Sequence, residues 1–549
     1  MANALSQNCR EDALAWNFGD ILDAISPVIP GDAPALIHGP RTITWAETTA
    51  RSNNLARALI AGGARPRDKV AFYMRNRPEY VETMAACFKA RLTHVNVNYR
   101  YKPDEVFYIF DNSDAQAVVY GSEFRDVIAE IRPRLTKVGS FTEVSGTGEV
   151  APFAKLYEAL ATTGDGAKLD IERSPDDEFF IYTGGTTGMP KGVIWTHDAL
   201  RETQLIAARR LGPAPETMPA LIEAIRTVDA RPRTLPACPL MHGTGLLMAL
   251  STMVSGGCVI TLPSHSFDAR EFWRETERTR TGTLVIVGDA FARPMLQALR
   301  EAPRSYDLSN VVTIISSGVM WTRENKHALL EYMPQAQMVD SFGSSEAVGF
   351  GSSITTKDGE IDTAKFQIGE RCKVFDENDV AIEPGSGKPG IIAMCPPIPM
   401  GYYKDAEKTA KTFKTINGVR YVMPGDWCVV EADGTLTLLG RGSACINTAG
   451  EKVYPEEVEE CLKTHPAVED ALVVGVPDEK WGQAVTAVVA LRPRTAFDEA
   501  ALRAHVHERL AGYKVPKHVM VSGVVLRAPN GKADYKSALG FAKQELNIA

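Results

Sequence analysis

A glycine- and threonine-rich stretch carries the residue types best suited to hold a phosphate. It runs from position 182 to 192 and reads YTGGTTGMPKG. Glycines allow successive backbone N–H groups to converge on one anion, threonine hydroxyls add donors, and Lys191 adds a positive charge. A flexible linker has a similar composition, but it has no need for Pro-Lys-Gly directly before the apolar Val193–Trp195. The stretch therefore predicts a phosphate-binding loop, with the candidate contacts Thr183, Gly184, Gly185, Thr186, Thr187, Gly188 and Lys191.

The order of residues separates this loop from the nucleotide loop G-x-x-x-x-G-K-[ST], because glycine follows Lys191. Instead, the loop resembles the signature of the adenylate-forming superfamily, which includes acyl-CoA synthetases, nonribosomal adenylation domains and firefly-type luciferases. Further motifs of that family follow in the expected order, so the resemblance covers essentially the whole chain. Several motifs in order are a far more specific signal than one.

The segment DSFGSSE, from Asp340 to Glu346, resembles the adenine and magnesium motif of the family. The resemblance implies that the Phe342 ring stacks on adenine and that Glu346 holds Mg²⁺ against phosphate oxygens. Phe342 replaces the usual tyrosine and retains an aromatic ring. Ser345 replaces the usual threonine and retains a hydroxyl group. Asp340, Gly343 and Ser345 are further nucleotide contacts by this resemblance. Taken alone, Glu346 fits an ordinary surface carboxylate.

The Gly-Asp pair at 425–426 resembles the family's ribose motif. The resemblance implies that Asp426 accepts hydrogen bonds from both ribose hydroxyls and that Arg441 contacts the ribose or a phosphate. A lone Gly-Asp is usually a turn, and a lone arginine is usually half of a surface salt bridge. Both assignments therefore depend on the spacing between the two residues.

The segment PLMHG at 239–243 resembles the motif at the family's acyl pocket. The resemblance implies that His242 lines the channel between that pocket and the phosphates and takes part in catalysis. A buried structural histidine is the competing interpretation. The segment SSGV at 316–319 stands in place of a loop that passes the adenine, which makes Ser317 and Gly318 nucleotide contacts, although the usual pattern is Gly-Gly-Ala-Pro.

Two segments near the C-terminus complete the set. Gly450, Glu451 and Lys452 resemble the segment that lines the pantetheine tunnel during thioester formation, and a capped helix start with acidic residues is compatible with that role. PNGK at 529–532 resembles the catalytic lysine loop, which implies that Lys532 bridges the carboxylate and the α-phosphate. Without the resemblance, Lys532 is an exposed lysine on a turn.

The elements that position these residues alternate between strands and helices. Lys69–Tyr73 predicts a strand, Glu79–Ala90 a helix and His94–Val97 another strand, while Thr44 and Glu47 predict a capped helix start. This order implies parallel strands with crossover helices, hence a layered α/β fold. Crowded turn signals after about residue 370 predict a β-rich subdomain, and a compact α+β pattern follows from about residue 454.

The change in pattern predicts a domain boundary near residues 440–443, and the resemblance implies an N-terminal AMP-binding and acyl-binding domain over residues 1–440 and a mobile C-terminal lid domain over 444–549. Residues 441–443 form the predicted hinge, with Ser443 as its centre by resemblance. The segment RGSACIN at 441–447 lacks the family's usual acidic pair and the lysine after isoleucine, which leaves the hinge residue open.

Composition limits the class of protein. With 549 residues the chain exceeds one ordinary core, and a net charge of −8 without any basic block argues against a nucleic-acid partner. Nine scattered cysteines without a C-x-x-C pair suit a reducing compartment. Neither a signal peptide nor a transmembrane segment is expected, since the most apolar stretch, Leu246–Leu262, is short and interrupted. We expect a cytoplasmic protein and leave a homodimer open.

The resemblance implies an AMP-forming acid–CoA ligase that uses ATP, Mg²⁺ and coenzyme A. The carboxylate attacks the α-phosphorus, pyrophosphate leaves, and the thiol then displaces AMP. Segments 95–101, 288–294 and 401–443 are most similar to bacterial fatty-acyl ligases that activate steroid side-chain acids, which favours a role in fatty acid metabolism or steroid degradation. Four alternatives stay open: an aryl-alkanoate ligase, an adenylation enzyme that loads a carrier-protein thiol, a phosphotransferase and a non-catalytic binding protein.

Overall fold

The computed structural model describes residues 16–183, 189–210, 212–303, 305–318, 321–359, 365–441, 446–448, 451–478, 482–510, 512–523, 526–527 and 533–548. The helices in these ranges are α1 Phe18–Ile25, α2 Trp45–Ala61, α3 Pro78–Lys89, α4 Pro103–Asn112, α5 Arg125–Ile131, α6 Tyr157–Thr162, α7 His197–Arg209, α8 Met218–Thr227, α9 Gly243–Val254, α10 Ala269–Arg278, α11 Asp289–Glu301, α12 Arg323–Tyr332, α13 Ala406–Thr412, α14 Pro455–Lys463, α15 Glu499–His507 and α16 Tyr535–Glu545.

The strands are β1 Pro34–His38, β2 Arg41–Thr44, β3 Lys69–Tyr73, β4 Thr93–Asn96, β5 Ala115–Gly121, β6 Ser140–Val144, β7 Lys155–Leu156, β8 Glu178–Thr183, β9 Lys191–Thr196, β10 Arg233–Pro236, β11 Cys258–Thr261, β12 Thr283–Ile286, β13 Thr313–Ser317, β14 Gln337–Phe342, β15 Gly351–Thr355, β16 Lys365–Ile368, β17 Cys372–Phe375, β18 Pro389–Met394, β19 Gly401–Tyr402, β20 Phe413–Ile416, β21 Val419–Val422, β22 Asp426–Val430, β23 Thr435–Arg441, β24 Ile446–Thr448, β25 Glu451–Val453, β26 Val468–Asp478, β27 Gly482–Leu491 and β28 His518–Val521.

The first sheet changes from parallel to antiparallel partway across. Its parallel strands lie in the order β1–β11–β10–β12–β13–β14, and β2 pairs antiparallel at one edge. From β14 the order continues antiparallel through β15, β16, β23, β22 and β18 to β21 and β20, while β17 pairs with β18. The β-rich region predicted after residue 370 is therefore an extension of the same sheet.

The second sheet is parallel from β8 through β4, β3, β5 and β6 to β7, with β9 added antiparallel beside β8 and β19 added antiparallel beside β9. The sequence explains this arrangement, because strands in parallel sheets are covered on both faces and therefore consist largely of apolar residues. The apolar residues Val70, Ala71 and Phe72 of β3 and the four central residues of β8 are buried. The mixed α/β class predicted from the sequence is confirmed.

The C-terminal part of the chain has its own small sheet, in the order β25–β24–β27–β26, with β28 beside β27. Helices α14 and α15 pack on one core cluster of this sheet, and α16 packs on a second one. The ring of Tyr454, just before α14, lies 5.8 Å from the ring of Trp427 in β22, and Arg293 of α11 donates a hydrogen bond of 2.7 Å to the carbonyl of Glu469. Contacts of this kind join the small sheet to the large body.

Local sequence patterns correctly predicted the positions of several helices and strands. The Thr44–Glu47 capping box is present at the start of α2, and β3 has the predicted bounds. Helix α16 was not predicted. Across the described ranges, no helix combines the length and the apolar character that a membrane crossing requires.

Stability of the small C-terminal domain should depend on pH through Glu459. Burial raises the pKa of Glu459, and nearby Glu456 acts in the same direction, although Lys463 and Arg527 oppose both. Because the pKa in the folded state lies above the ordinary value of 4.5, the folded domain binds this proton more tightly than the unfolded chain. The resulting stabilisation is complete below the unfolded-state pKa of Glu459. It is lost as the pH rises through the folded-state pKa.

We therefore expect the melting temperature of the small domain to fall between about pH 5 and pH 8, and Glu459→Gln to flatten this dependence. Calorimetry across this range is the measurement. Glu460→Gln, next to Glu459 in sequence and an ion-pair partner of Lys463, is the matched control and should keep the slope. If the melting temperature depends on pH equally in all three proteins, Glu459 is not the source of that dependence.

Candidate active site

Strands from both large sheets end at one cavity. β4 and β8 of the second sheet and β13 and β14 of the first deliver residues to it, and α9 begins beside it. The cavity has a volume of about 270 Å³. In open α/β sheets, ligands bind at the carboxyl ends of the strands, so this cavity is the candidate active site. It brings together six of the predicted site residues: Thr183, His242, Ser317, Gly318, Gly343 and Ser345.

The base of the predicted phosphate loop lies at this cavity. Strands β8 and β9 pair antiparallel up to Thr183 and Lys191, which face each other in the last pair. The loop residues Gly184, Gly185, Thr186, Thr187 and Gly188 lie outside the described ranges. The ammonium of Lys191 pairs with the carboxylate of Asp405, and this hydrogen bond lowers the pKa of Asp405. Lys191 is therefore held at the loop base by a partner from a distant segment.

Glu346, the predicted metal ligand, lies in the turn between β14 and β15. Its side chain is only 8% exposed, and its Oε1 accepts a hydrogen bond of 2.7 Å from the Tyr402 hydroxyl. The turn needs glycine at 343, because a Cβ there would lie 2.8 Å from the carbonyl oxygen of Ala347. Lys191 and Glu346 thus both contact residues from the segment 401–405.

Asp340 and Phe342 are not among the residues that line the cavity, whereas Ser341 between them is. The Asp340 carboxylate accepts a hydrogen bond of 2.6 Å from Lys326, and burial raises its pKa in spite of that partner. The Phe342 ring lies 5.3 Å from the ring of Phe350 and stacks on it. Alternation along β14 accounts for this, since successive side chains of a strand point to opposite faces.

Asp426 and Arg441 face each other across the β22–β23 pair. Asp426 is the first residue of β22 and is 7% exposed. The preceding Gly425 has a φ of 102°, in the region that favours glycine, so the turn before β22 requires this residue. The predicted ribose pair therefore comes from adjacent antiparallel strands.

Asp426→Ala should raise the KM for ATP by about 10- to 100-fold, because two hydrogen bonds from ribose to a carboxylate would be lost. The turnover number at saturating ATP should change much less. Steady-state pyrophosphate release at varied ATP is the measurement. Asp433→Ala, at the exposed turn between the same two strands, is the matched control. An unchanged ATP dependence would remove Asp426 from the ribose site.

The predicted C-terminal site residues are only partly described. Gly450 and Lys532 lie outside the described ranges, whereas Glu451 and Lys452 belong to β25, opposite Thr448 and Asn447 of β24. The segment that contains Lys532 is closed at its base by a β-bridge between Arg527 and Ala533.

Arg527 in turn donates two hydrogen bonds, of 2.5 and 2.7 Å, to the Asp470 carboxylate. Burial alone would raise the pKa of Asp470, but Arg527 lowers it. The Arg527–Ala533 bridge is thus attached, through Arg527, to β26 of the small sheet.

Sequence reasoning missed four residues that the structure places at or beside the site: Asn96, Ser341, Tyr402 and Asp405. Ser341 could have been found from the two-residue alternation of a strand. The other three act through contacts with residues more than 50 positions away in the chain, and nothing in their local sequence indicates these partners.

Comparisons with known proteins identify the family of the chain. The AMP-binding enzyme family matches residues 28–403, and the AMP-binding enzyme C-terminal domain matches residues 457–532. The chain is 41% identical to a medium/long-chain-fatty-acid–CoA/3-oxocholest-4-en-26-oate–CoA ligase of Mycobacterium marinum and 40% identical to a 3-oxocholest-4-en-26-oate–CoA ligase of Rhodococcus rhodochrous, with 96% of each chain covered.

The solved structure of the anthranilate CoA ligase AuaEII in complex with anthranoyl-AMP has a TM-score of 0.82 at 22% identity, over 97% of this chain and 99% of that chain. At this identity the structural match shows the fold, while the family matches and the full-length relatives show the class of enzyme. The chain therefore belongs to the AMP-binding enzyme family and is an AMP-forming acyl-CoA synthetase.

Proposed function

We propose that the acid this enzyme activates is bulky and apolar, either a medium- or long-chain fatty acid or a steroid side-chain acid. The observation that carries the proposal is the apolar part of the cavity, which adjoins the base of the phosphate loop. That part is lined by Ile109, Leu247, Met248, Val287, Ile315 and Val348. Apolar walls bind an acyl or steroid body by removing its surface from water.

The relatives support the same class of acid. The two bacterial ligases, both about 40% identical over nearly their full length, are named for a cholestenoate, and one is also named for medium- and long-chain fatty acids. The cavity of about 270 Å³ is at the small end of ligand sites, which typically measure about 300–1,000 Å³. A steroid acid would therefore place its carboxyl end here and needs the cavity to open further for its rings.

The enzyme uses ATP, Mg²⁺ and coenzyme A in two steps. In the first, the carboxylate attacks the α-phosphorus and pyrophosphate leaves. We assign Lys191, Thr187 and the backbone amides of the loop to the phosphate oxygens, on which negative charge grows. Lys532 bridges the two anionic reactants and offsets their repulsion, while His242, at the start of α9, lines the passage between acid and phosphates. Holding both reactants in line is the larger part of the catalysis.

The residues around Glu346 fit Mg²⁺. A buried carboxylate, oriented by Tyr402 and adjoining the serine-lined edge of the cavity, is a hard oxygen ligand of the kind this ion prefers. No three acidic, histidine or cysteine side chains of the described ranges converge on one point, so the other ligands would be phosphate oxygens and water. When bound, Mg²⁺ neutralises charge on the phosphate oxygens.

In the second step the thiol of coenzyme A attacks the adenylate carbonyl and AMP leaves. We assign Gly450, Glu451 and Lys452 to the tunnel for its pantetheine arm, and residues 441–443 to the hinge about which the lid domain, 444–549, turns against residues 1–440. Ser317 and Gly318, which line the cavity, remain assigned to the adenine end of the nucleotide, whereas Asp340 and Phe342, which do not line it, are not assigned there. A cytoplasmic location is supported by the free thiols of all cysteines in the described ranges. A homodimer stays a prediction, which sedimentation would test.

The experiment is pyrophosphate release from ATP and Mg²⁺ across a panel of acids, with and without coenzyme A. The panel contains a steroid side-chain acid, fatty acids of several lengths and aryl-alkanoic acids. We expect coenzyme A to stimulate release with the steroid or fatty acids. Strongest release with the aryl acids would overturn the proposed substrate class.

Other outcomes separate the remaining alternatives. Pyrophosphate release that coenzyme A does not stimulate would indicate a carrier-protein thiol as acceptor. Release of ADP in place of AMP would indicate a phosphotransferase. The Lys532→Ala protein, assayed in parallel, controls for contaminating activity.

A further inference from the structure

Asn96, the last residue of β4, has a buried side chain beside the cavity. It is 2% exposed, and its amide makes three hydrogen bonds to backbone groups. Its Oδ1 accepts from the N–H of Tyr182 at 2.7 Å, and its Nδ2 donates to the carbonyl of Tyr182 at 2.9 Å and to that of Met241 at 2.6 Å. Both N–H donors of the amide are therefore in use, which fixes its orientation.

This side chain continues a ladder that the backbone leaves incomplete. The parallel pairing of β4 with β8 ends at Val95 and Phe180. Two residues further along β8, the amide of Asn96 takes over both backbone groups of Tyr182, as a neighbouring strand would. On the side that faces β4, the end of β8 before the predicted phosphate loop is thus held by the Asn96 side chain.

The third hydrogen bond of Asn96 reaches the opposite side of the cavity. Met241 directly precedes His242, and His242 is the cap residue from which α9 starts. The Asn96 amide therefore links the end of β8, next to Thr183, to the turn that carries His242. Both Thr183 and His242 line the cavity with Asn96.

We propose that Asn96 is a positioning residue for adenylate formation, which aligns Thr183, at the base of the predicted phosphate loop, with His242. The inference rests on the proposed function of that loop. The loop acts on the phosphates of ATP, and an acyl adenylate no longer carries the β- and γ-phosphates. Loss of the Asn96 contacts should therefore slow the first half-reaction much more than the second.

The test uses Asn96→Asp in the full-length enzyme. This change keeps the shape of the side chain but places an oxygen opposite two carbonyl oxygens, so at least one of the contacts is lost. The matched control is Asn76→Asp. Asn76 holds the same turn in the same manner, by accepting from Leu240 N–H at 2.7 Å and donating to the carbonyl of Cys238 at 2.9 Å. Within the described ranges, none of its hydrogen bonds reaches β8.

Two rates are measured for each folded protein: pyrophosphate release at saturating acid and varied ATP, and AMP release from supplied acyl adenylate and coenzyme A. We expect Asn96→Asp to lower the turnover number of adenylate formation by about 100-fold, as small misplacements at reacting centres do, while thiolysis stays close to the wild-type rate. Asn76→Asp should change the two rates by the same factor.

Equal losses in both half-reactions of Asn96→Asp, or no loss in either, would overturn the positioning role. If Asn96→Asp does not fold, Asn96→Ser retains one hydroxyl without the repulsion, and the same split between half-reactions is required of it. Failure of the wild-type enzyme to release pyrophosphate with any acid would instead overturn the proposed function, so the two failures are distinguishable.

Discussion

Lys532→Ala is expected to lower the rate of adenylate formation by at least about 100- to 1,000-fold, the loss that follows removal of one well-placed donor to a developing charge. The physical reason is that two anions, the carboxylate and the α-phosphate, must approach each other in the first step. A lysine between them offsets their repulsion. The measurement is single-turnover pyrophosphate release with the preferred acid.

The second half-reaction provides the internal control. A supplied adenylate already contains the bond that Lys532 helps to form, so its thiolysis by coenzyme A should continue at a rate close to wild type. Lys536→Ala changes an exposed lysine in the first turn of α16 and should affect neither step. Survival of adenylate formation in Lys532→Ala would show that the lysine assignment is wrong.

Arg527 and Ala533, which flank Lys532 in the sequence, form a β-bridge, and the Arg527–Asp470 ion pair attaches this bridge to β26. Asp470→Asn would weaken that attachment while leaving Lys532 unchanged. Such a variant should therefore show a weaker form of the same selective loss in the first step.

Glu346→Gln is expected to lower pyrophosphate release by about 100-fold at ordinary Mg²⁺ concentrations, because the amide that replaces the carboxylate binds the cation weakly. Raising Mg²⁺ should restore part of the rate. The measurement is the rate as a function of Mg²⁺ in the wild type and the variant, after the metal has been removed with a chelator, which should itself abolish activity in both.

Tyr402→Phe is the matched variant for Glu346. It removes only the hydroxyl that donates to the carboxylate and leaves the metal ligand in place. A loss of about 10-fold or less, with a modest shift in the Mg²⁺ dependence, is expected, in line with the loss of one hydrogen bond. Identical Mg²⁺ curves for the wild type and Glu346→Gln would contradict the metal role.

Local patterns in the sequence were sufficient for much of the fold. Thr44 and Glu47 define a helix start within four residues, and the apolar run of β3 defines a strand without reference to any partner. Helix α16 was missed because it follows a turn-rich segment and has only a weak apolar stripe. The continuity of the first sheet was missed because strand pairing between residues far apart is not visible in local periodicity.

The residues of the candidate site also differ in how well the sequence predicts them. Motifs gave the cavity residues Thr183, Ser345 and His242, whose types and order suffice for recognition. They did not give Asn96 or Asp405, because an asparagine that satisfies distant backbone groups has no signature of its own. The orientation of residues within a motif also needs the structure, as the cavity-facing Ser341 shows.

The unbroken hydrogen bonding from β13 and β14 through β15 and β16 to β23 and β22 has a consequence for hydrogen exchange. Glu346 follows β14, near one end of this series, and Asp426 begins β22, at the other end. Amides of these strands should exchange through shared opening events, more slowly than those of the small C-terminal sheet. The metal end and the ribose end of a bound nucleotide would then rest on one cooperative unit, whichever way the lid domain turns.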